Sequence, residues 1–163
     1  MRTARAHCEQ GAPPVQARGR QATGRSRGGL TTKLHALVAN DRAPLIIGLS
    51  PGQRHDAPCG RELLQRLGPA RGAPTLVMDR ADEDDATRRL AAQLGYHPVV
   101  PPKANRRRPW TYDRARYRRR NEVERFCCRL KRFHRIDTRC DKLEVIFLAA
   151  IHLVLIYDML NSM

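Results

Sequence analysis

Neither an apolar leader nor a membrane-length apolar run occurs in this sequence. Met1 is followed by Arg2, Thr3, Ala4 and Arg5 with no apolar stretch behind them, so a secretory leader is not expected. The longest apolar run, Val145 to Tyr157, is thirteen residues with His152 inside it. That is too short to span a bilayer and reads as a buried helix. No basic amphipathic helix with Trp or Phe anchors stands at a terminus, which argues against a membrane-surface protein. The five cysteines (Cys8, Cys59, Cys127, Cys128, Cys140) form no CxxC pair and no Cys/His zinc spacing. They read as free thiols of a reducing cytoplasm. Internal repeats are absent. Acidic residues are scarce, 16 against 31 Lys plus Arg, for a formal charge of +15. This is far from a neutral enzyme's balance and indicates a polyanionic partner, most simply nucleic acid. A basic protein of ribosomal type is the plainer alternative. With 41% apolar residues in 163, the chain can still build one domain with a core.

Residues 1–28 carry Arg, Gly, Gln and Pro and read as a basic, flexible arm ahead of a folded domain over 29–163. Thr31 to Ala39 and Pro44 to Leu49 are β-rich runs joined by Asn40, Asp41 and Arg42, which predicts a hairpin. Asp56 is placed to cap a helix running to Leu67. Thr75 to Met78 is a short, wholly apolar strand of the kind buried in parallel sheets, and it ends in Asp79. Asp85 is placed to cap a helix from Ala86 to Leu94, stopped by Gly95. Tyr96 to Val100 predicts a further strand and 103–116 a basic loop carrying Trp110. Helices are predicted from about Tyr117 to Phe133 and from Leu143 to Leu160. The alternation indicates an α/β layer fold, in which ligands gather where strands end.

Sixteen Lys or Arg against five acids fall in residues 103–142. A charge run is ordinarily a solvated face. Here Trp110, Tyr112 and Tyr117 interleave with the cations, a pattern suited to nucleic acid. At about 100° per residue, Tyr117, Arg120, Glu124 and Lys131 lie within about 60° of one another, opposite Val123, Phe126, Leu130 and Phe133. Glu124 is either the helix partner of Arg120 four residues back or a metal-holding carboxylate among cations that hold phosphates. Asp79 is either a turn cap, crowded by Asp82, Glu83, Asp84 and Asp85, or a second such carboxylate. Two hard oxygen ligands suit Mg²⁺ and two-metal phosphoryl transfer.

Tyr117, Arg120, Glu124 and Lys131 follow the order Tyr, two residues, Arg, three residues, Glu, six residues, Lys. This resembles the signature of DDE-type insertion-sequence transposases. Gly24 to His35, Pro51 to Asp56 and Arg135 to Leu143 resemble the insertion-sequence-five family in particular, and the resemblance runs from residue 3 to about residue 157. It implies a ribonuclease-H-like α/β fold, a mixed sheet with flanking helices, incomplete at its first strand. It implies that Asp79 and Glu124 are the second and third catalytic acids and hold Mg²⁺ in a two-metal site. The implied activity is cleavage and strand transfer of an insertion sequence. DNA, as element ends and as target, is the implied partner, contacted by Tyr117, Arg120, Asn121, Arg125 and Lys131. A second copy of the chain and the product of an upstream reading frame are further implied partners, in a bacterial cytoplasm at the nucleoid.

Two features depart from the family pattern. Arg5, Ala6 and His7 match a segment whose catalytic Asp would fall one place before Met1, and Arg80-Ala81-Asp82-Glu83 replaces a Gly-Tyr-Asp-like stretch. The family's N-terminal helical DNA-binding region has no counterpart in these residues. The expectation is a catalytic part that is inactive alone; the alternative is a non-catalytic DNA-binding remnant of a decayed transposase. A truncated copy and a second reading frame joined by frameshifting both fit.

Overall fold

The computed structural model describes residues 2–7, 21–26 and 29–161. Its strands are β1 (Arg2–His7), β2 (Gly24–Ser26), β3 (Gly29–Val38), β4 (Pro44–Pro51), β5 (Thr75–Val77) and β6 (His97–Val99). Its helices are α1 (Asp56–Leu67), α2 (Asp85–Gln93), α3 (Arg114–Tyr117), α4 (Asn121–Leu130), α5 (His134–Asp137) and α6 (Glu144–Leu160). Short 3₁₀ turns occupy Arg80–Asp82 and Arg118–Arg120.

The sheet is built on β3, which pairs antiparallel with β1, β2 and β4. Arg2 lies opposite Ala36 and His7 opposite Thr31, while Thr32 faces Pro51 and Val38 faces Pro44. β5 and β6 form a separate parallel pair, Thr75 against His97 and Val77 against Val99. The β3–β4 hairpin closes as its sequence predicts. Asn40 Oδ1 accepts from the backbone N–H groups of Arg42 and Ala43, both at 2.9 Å, the local bond that makes Asn a turn former.

Seven consecutive β3 residues, Thr31 to Leu37, are buried, so both faces of this strand are covered. Leu37 packs with Leu63 and Leu64 of α1. Leu34 and Ala36, of opposite parity, pack with Val123, Phe126 and Phe147 of α4 and α6. The architecture is therefore three layers: α1 on one face, the sheet, then α4 and α6 on the other. Burying polar residues in the middle layer demands partners. Lys33 Nζ donates to Arg54 O at 2.6 Å and meets Asp56 Oδ1 at 2.7 Å. His35 Nε2 lies 2.7 Å from Ser50 Oγ. Gly52 N donates to Thr31 O at 3.0 Å, an approach so close that a Cβ at Gly52 would strike Thr31 Oγ1.

Arg139 does the same work on the other face. It is 1% exposed. Its Nε donates to Asp141 O at 2.8 Å, and its Nη2 to Gln21 O at 2.6 Å and Lys142 O at 3.2 Å. Nη1 bonds Thr32 Oγ1, and the guanidinium lies 4.9 Å from the Phe147 ring centroid. One planar donor fork thereby ties residue 21, β3 and the entry to α6 together. Arg135 grips Asp141 through two bonds of 3.1 and 2.8 Å.

Several expectations need correction. Residues 2–7 and 24–26 are strands on β3 rather than a flexible arm, because an open β3 edge satisfies their backbone groups; residues 8–20 lie outside the described set. Asp56 does not cap α1. His55 holds the cap position without a side-chain bond, and Asp56 turns to Lys33. Asp84, not Asp85, caps α2, accepting from Thr87 N at 2.8 Å. The helix expected from Tyr117 to Phe133 is α3, a 3₁₀ turn and α4, with Lys131 at the cap beyond the last turn. Finally, α6 is not buried. Phe147, Ala150 and Ile151 face the core, whereas Val145, Leu153 and Leu160 are 68%, 68% and 67% exposed. No helix among the described residues is long and apolar enough to cross a membrane. Cys59, Cys127, Cys128 and Cys140 are free thiols, as their spacing suggested.

Burial drives the His35 imidazole from 6.5 down to about 4, with Lys33 and Arg54 adding to the effect against Asp56 and Glu62. A lowered histidine contributes stability that is full above its unfolded value and lost as pH falls toward the folded one. The loss amounts to on the order of 3 kcal/mol, since each tenfold change in proton affinity is about 1.4 kcal/mol. His35→Gln removes this titration. The stability of the wild type relative to His35→Gln should therefore drop by that amount between about pH 7 and about pH 4, read from urea midpoints. A pH-independent difference would show that His35 is not buried neutral.

Candidate active site and nucleic-acid interface

Asp79 lies two residues past the end of β5 and caps the 3₁₀ turn, its Oδ1 accepting from Arg80 N at 2.7 Å. Glu124 lies in the first turn of α4. The chain brings the two together through one side chain. Arg120 Nη1 lies 3.5 Å from Asp79 Oδ1, and Arg120 Nη2 lies 2.9 Å from Glu124 Oε1. All three side chains are about one-third exposed, at 30%, 27% and 30% for Arg120, Asp79 and Glu124. Tyr117 completes the face, with the Arg120 guanidinium 5.9 Å from its ring centroid. Its hydroxyl pKa is raised, chiefly by burial and further by Asp79, against the opposing charge of Arg120. The stripe read from the helical angle thus exists at Tyr117, Arg120 and Glu124, opposite buried Val123, Phe126 and Leu130.

Carboxylates that converge on one guanidinium can also converge on a hard divalent cation, because both are oxygen donors aimed at a positive centre. Asp79 and Glu124 fit that requirement. A third ligand does not join them: among the described residues no group of three His, Cys, Asp or Glu is arranged to hold a metal ion.

The other expected contact residues are placed less tightly. Asn121 is exposed at the start of α4, and Lys131 is exposed just past its end. Arg125 lies 3.7 Å from Asp41 of the hairpin turn, with its side chain 58% exposed.

The acid cluster after β5 has a role the spacing did not reveal. Glu83, 4% exposed, takes Lys103 Nζ at 3.2 Å and Arg106 Nη1 at 3.3 Å. Arg106 also bonds Asp85. Trp110, expected to meet nucleic acid, donates from Nε1 to Val100 O at 2.8 Å. Its ring lies between Arg88 and Arg106, at 3.6 and 4.4 Å from the centroid. Lys103, Arg106 and Trp110 therefore pin the loop to the fold. Of the sixteen cations in 103–142, seven form no ion pair among the described residues: Arg107, Arg108, Arg114, Arg118, Lys131, Arg132 and Lys142. All seven are exposed. Pairing partners some twenty residues away cannot be found from local pattern, so no signal in the sequence separated the two classes of cation.

A family model for the transposase DDE domain matches residues 3–159. The chain belongs to this family. A putative transposase for insertion sequence element IS6501 from Brucella ovis is 34% identical over 125 residues, which are 76% of this chain and 94% of that protein. No solved structure matches the chain. The matched range takes in Asp79, Tyr117, Arg120 and Glu124.

One acid of this domain stands apart. Asp82 is 2% exposed, and its Oδ1 has no hydrogen-bond partner among the described residues. Burial, with Asp56, Asp79 and Asp84 nearby, pushes its carboxyl from 3.8 up to about 7. A raised carboxyl contributes stability that is present below the unfolded value and lost as pH rises through the folded one. Asp82→Asn keeps the shape without the titration. The variant should gain on the wild type as pH climbs from about 4 to about 8, measured as the difference in thermal midpoints. A constant difference would mean that Asp82 is ionised in the fold.

Proposed function

We propose that this DDE domain performs Mg²⁺-dependent DNA strand cleavage and strand transfer, with Asp79 and Glu124 as the cation-holding carboxylates. The observation that carries the reading is the convergence of both carboxylates on Arg120. An antiparallel β1–β3–β4 run beside a parallel β5–β6 pair, with a carboxylate at the end of β5, supports a ribonuclease-H-like arrangement. Mg²⁺ bound there would acidify a water and offset charge on the scissile phosphate. Arg120 and Tyr117 flank the carboxylates and are the groups to hold that phosphate. Asn121, Arg125 and Lys131 extend the contact along α4. Arg107, Arg108, Arg114 and Arg118, exposed and without an ion-pair partner among the described residues, supply further phosphate contacts on either side of Tyr117.

A second reading is favoured by one observation: no third ligand joins Asp79 and Glu124 among the described residues. On that reading the domain retains DNA through its unpaired cations without cutting it.

A Mg²⁺-dependent nicking assay on DNA carrying the element's ends decides between them. The first reading expects nicking, by the chain itself or by one extended upstream to carry the Asp expected before Arg5-Ala6-His7, and none by the same chain with Glu124→Gln, with DNA retention nearly intact. Nicking by Glu124→Gln at the wild-type rate would remove Glu124 from the chemistry, and retention without nicking by either chain would establish the second reading. The cation assignment has its own test. Replacing Arg107, Arg108, Arg114 and Arg118 by Ala together should flatten the slope of log K against log salt by as much as about 3 to 4, at roughly 0.9 per phosphate contact. Arg106→Ala should instead lower the melting temperature, because that side chain is committed to Glu83 and Asp85.

A further inference from the structure

On α4, Arg125 and Arg129 are spaced i, i+4 on a side about 100° or more round from Glu124, and Arg132 follows just past the helix end. That face leads to a cavity of about 510 Å³ between the hairpin turn, the end of α4 and the end of α6. Arg42, Arg129, Arg132, Phe133, Tyr157 and Asp158 line it. Arg129 is bonded to Asp158, so one cation and the cavity's carboxylate answer each other. A basic residue also suits the last turn of a helix, where the macrodipole is negative, and that accounts for Arg129. It does not account for the other two. Arg42 comes from the turn between β3 and β4, and Arg132 lies past the end of α4. Both are exposed, and neither has an ion-pair partner among the described residues. Phe133 and Tyr157 meet edge to face, with ring centroids 5.9 Å apart and planes at 87°. Tyr157 is 59% exposed.

We infer that this cavity is a subsite for one unpaired nucleotide of a DNA strand, its phosphate on Arg42 and Arg132 and its base against Tyr157. The volume lies in the range of small-ligand sites, far below what a duplex needs. A base still paired in a duplex cannot present its face to Tyr157, whereas a splayed or single-stranded one can. Two unpaired guanidiniums beside an exposed aromatic ring match the pairing of backbone charge and stacking platform that single strands require. The inference rests on the proposed DNA-handling function, and it adds a contact on the side of α4 away from Asp79.

The test is binding of a short fluorescent oligothymidylate to the full chain, beside an abasic strand of the same length. Arg42→Ala/Arg132→Ala should weaken both strands and flatten the single-strand salt slope by about 0.7, the value for one phosphate contact. Tyr157→Leu should weaken oligothymidylate by about tenfold or more, leave the abasic strand unchanged and keep the salt slope. Circular dichroism melts confirm that each variant folds. An unchanged affinity and slope in the arginine double variant, with wild-type binding intact, would overturn the subsite alone. Equal losses of both strands in Tyr157→Leu would overturn base stacking and, with it, the nucleotide assignment. Failure of the wild type to hold any strand would overturn the proposed function and this inference together.

Discussion

The structure depends on satisfying the polar groups buried on β3. This strand is covered on both faces, yet Thr31, Thr32, Lys33 and His35 are among its buried residues. Each must find a partner inside, because an unpaired buried polar group costs on the order of 1–3 kcal/mol and a charge costs more. Lys33 finds Asp56 and Arg54 O, His35 finds Ser50, and Thr32 finds Arg139. These bonds set where α1 begins, how β4 ends in Pro51 and Gly52, and how the segment after α5 turns into α6. β3 also packs toward both halves of the site, with Leu37 sharing a core with Leu76 of β5, and Leu34 and Ala36 one with Val123 of α4.

Arg120 then stands between two roles. In the folded chain it is the counter-charge that allows two partly buried carboxylates to approach one point. On the proposed function, that same point would take a cation and a phosphate. Ion pairs of partly exposed side chains contribute little stability, so the convergence reads more naturally as positioning than as a stabilising device. The wider charge divides along the same line. Lys103, Arg106 and Arg139 are spent on the fold, while Arg107, Arg108, Arg114, Arg118, Lys131, Arg132 and Lys142 remain exposed. A formal charge of +15 overstates the surface available to a polyanion, because part of it is already neutralised at Glu83, Asp85 and Asp141.

The exposed side of α6 carries a different consequence. A helix apolar on all sides is expected in a core, and in this chain only one side of α6 meets one. A continuous apolar run does not say how many layers will cover it.

Much of the architecture was nonetheless legible. The β3–β4 hairpin, a short strand two residues ahead of Asp79, and the face joining Tyr117, Arg120 and Glu124 follow from period and turn chemistry, which act over a few residues and leave a local pattern. The segments Gly24 to His35, Pro51 to Asp56 and Arg135 to Leu143 carry a resemblance in the sequence, while their physical role does not show there. Only the tertiary structure decided that Asp56 serves Lys33 rather than the α1 terminus, that Arg139 is a buried clamp, that Trp110 is held between Arg88 and Arg106, and that residues 2–7 join the sheet. Each of these depends on a partner from a distant part of the chain. A side chain's local surroundings fix what it can bond to; which bond it makes is decided by the groups that packing delivers, and those carry no spacing in the sequence.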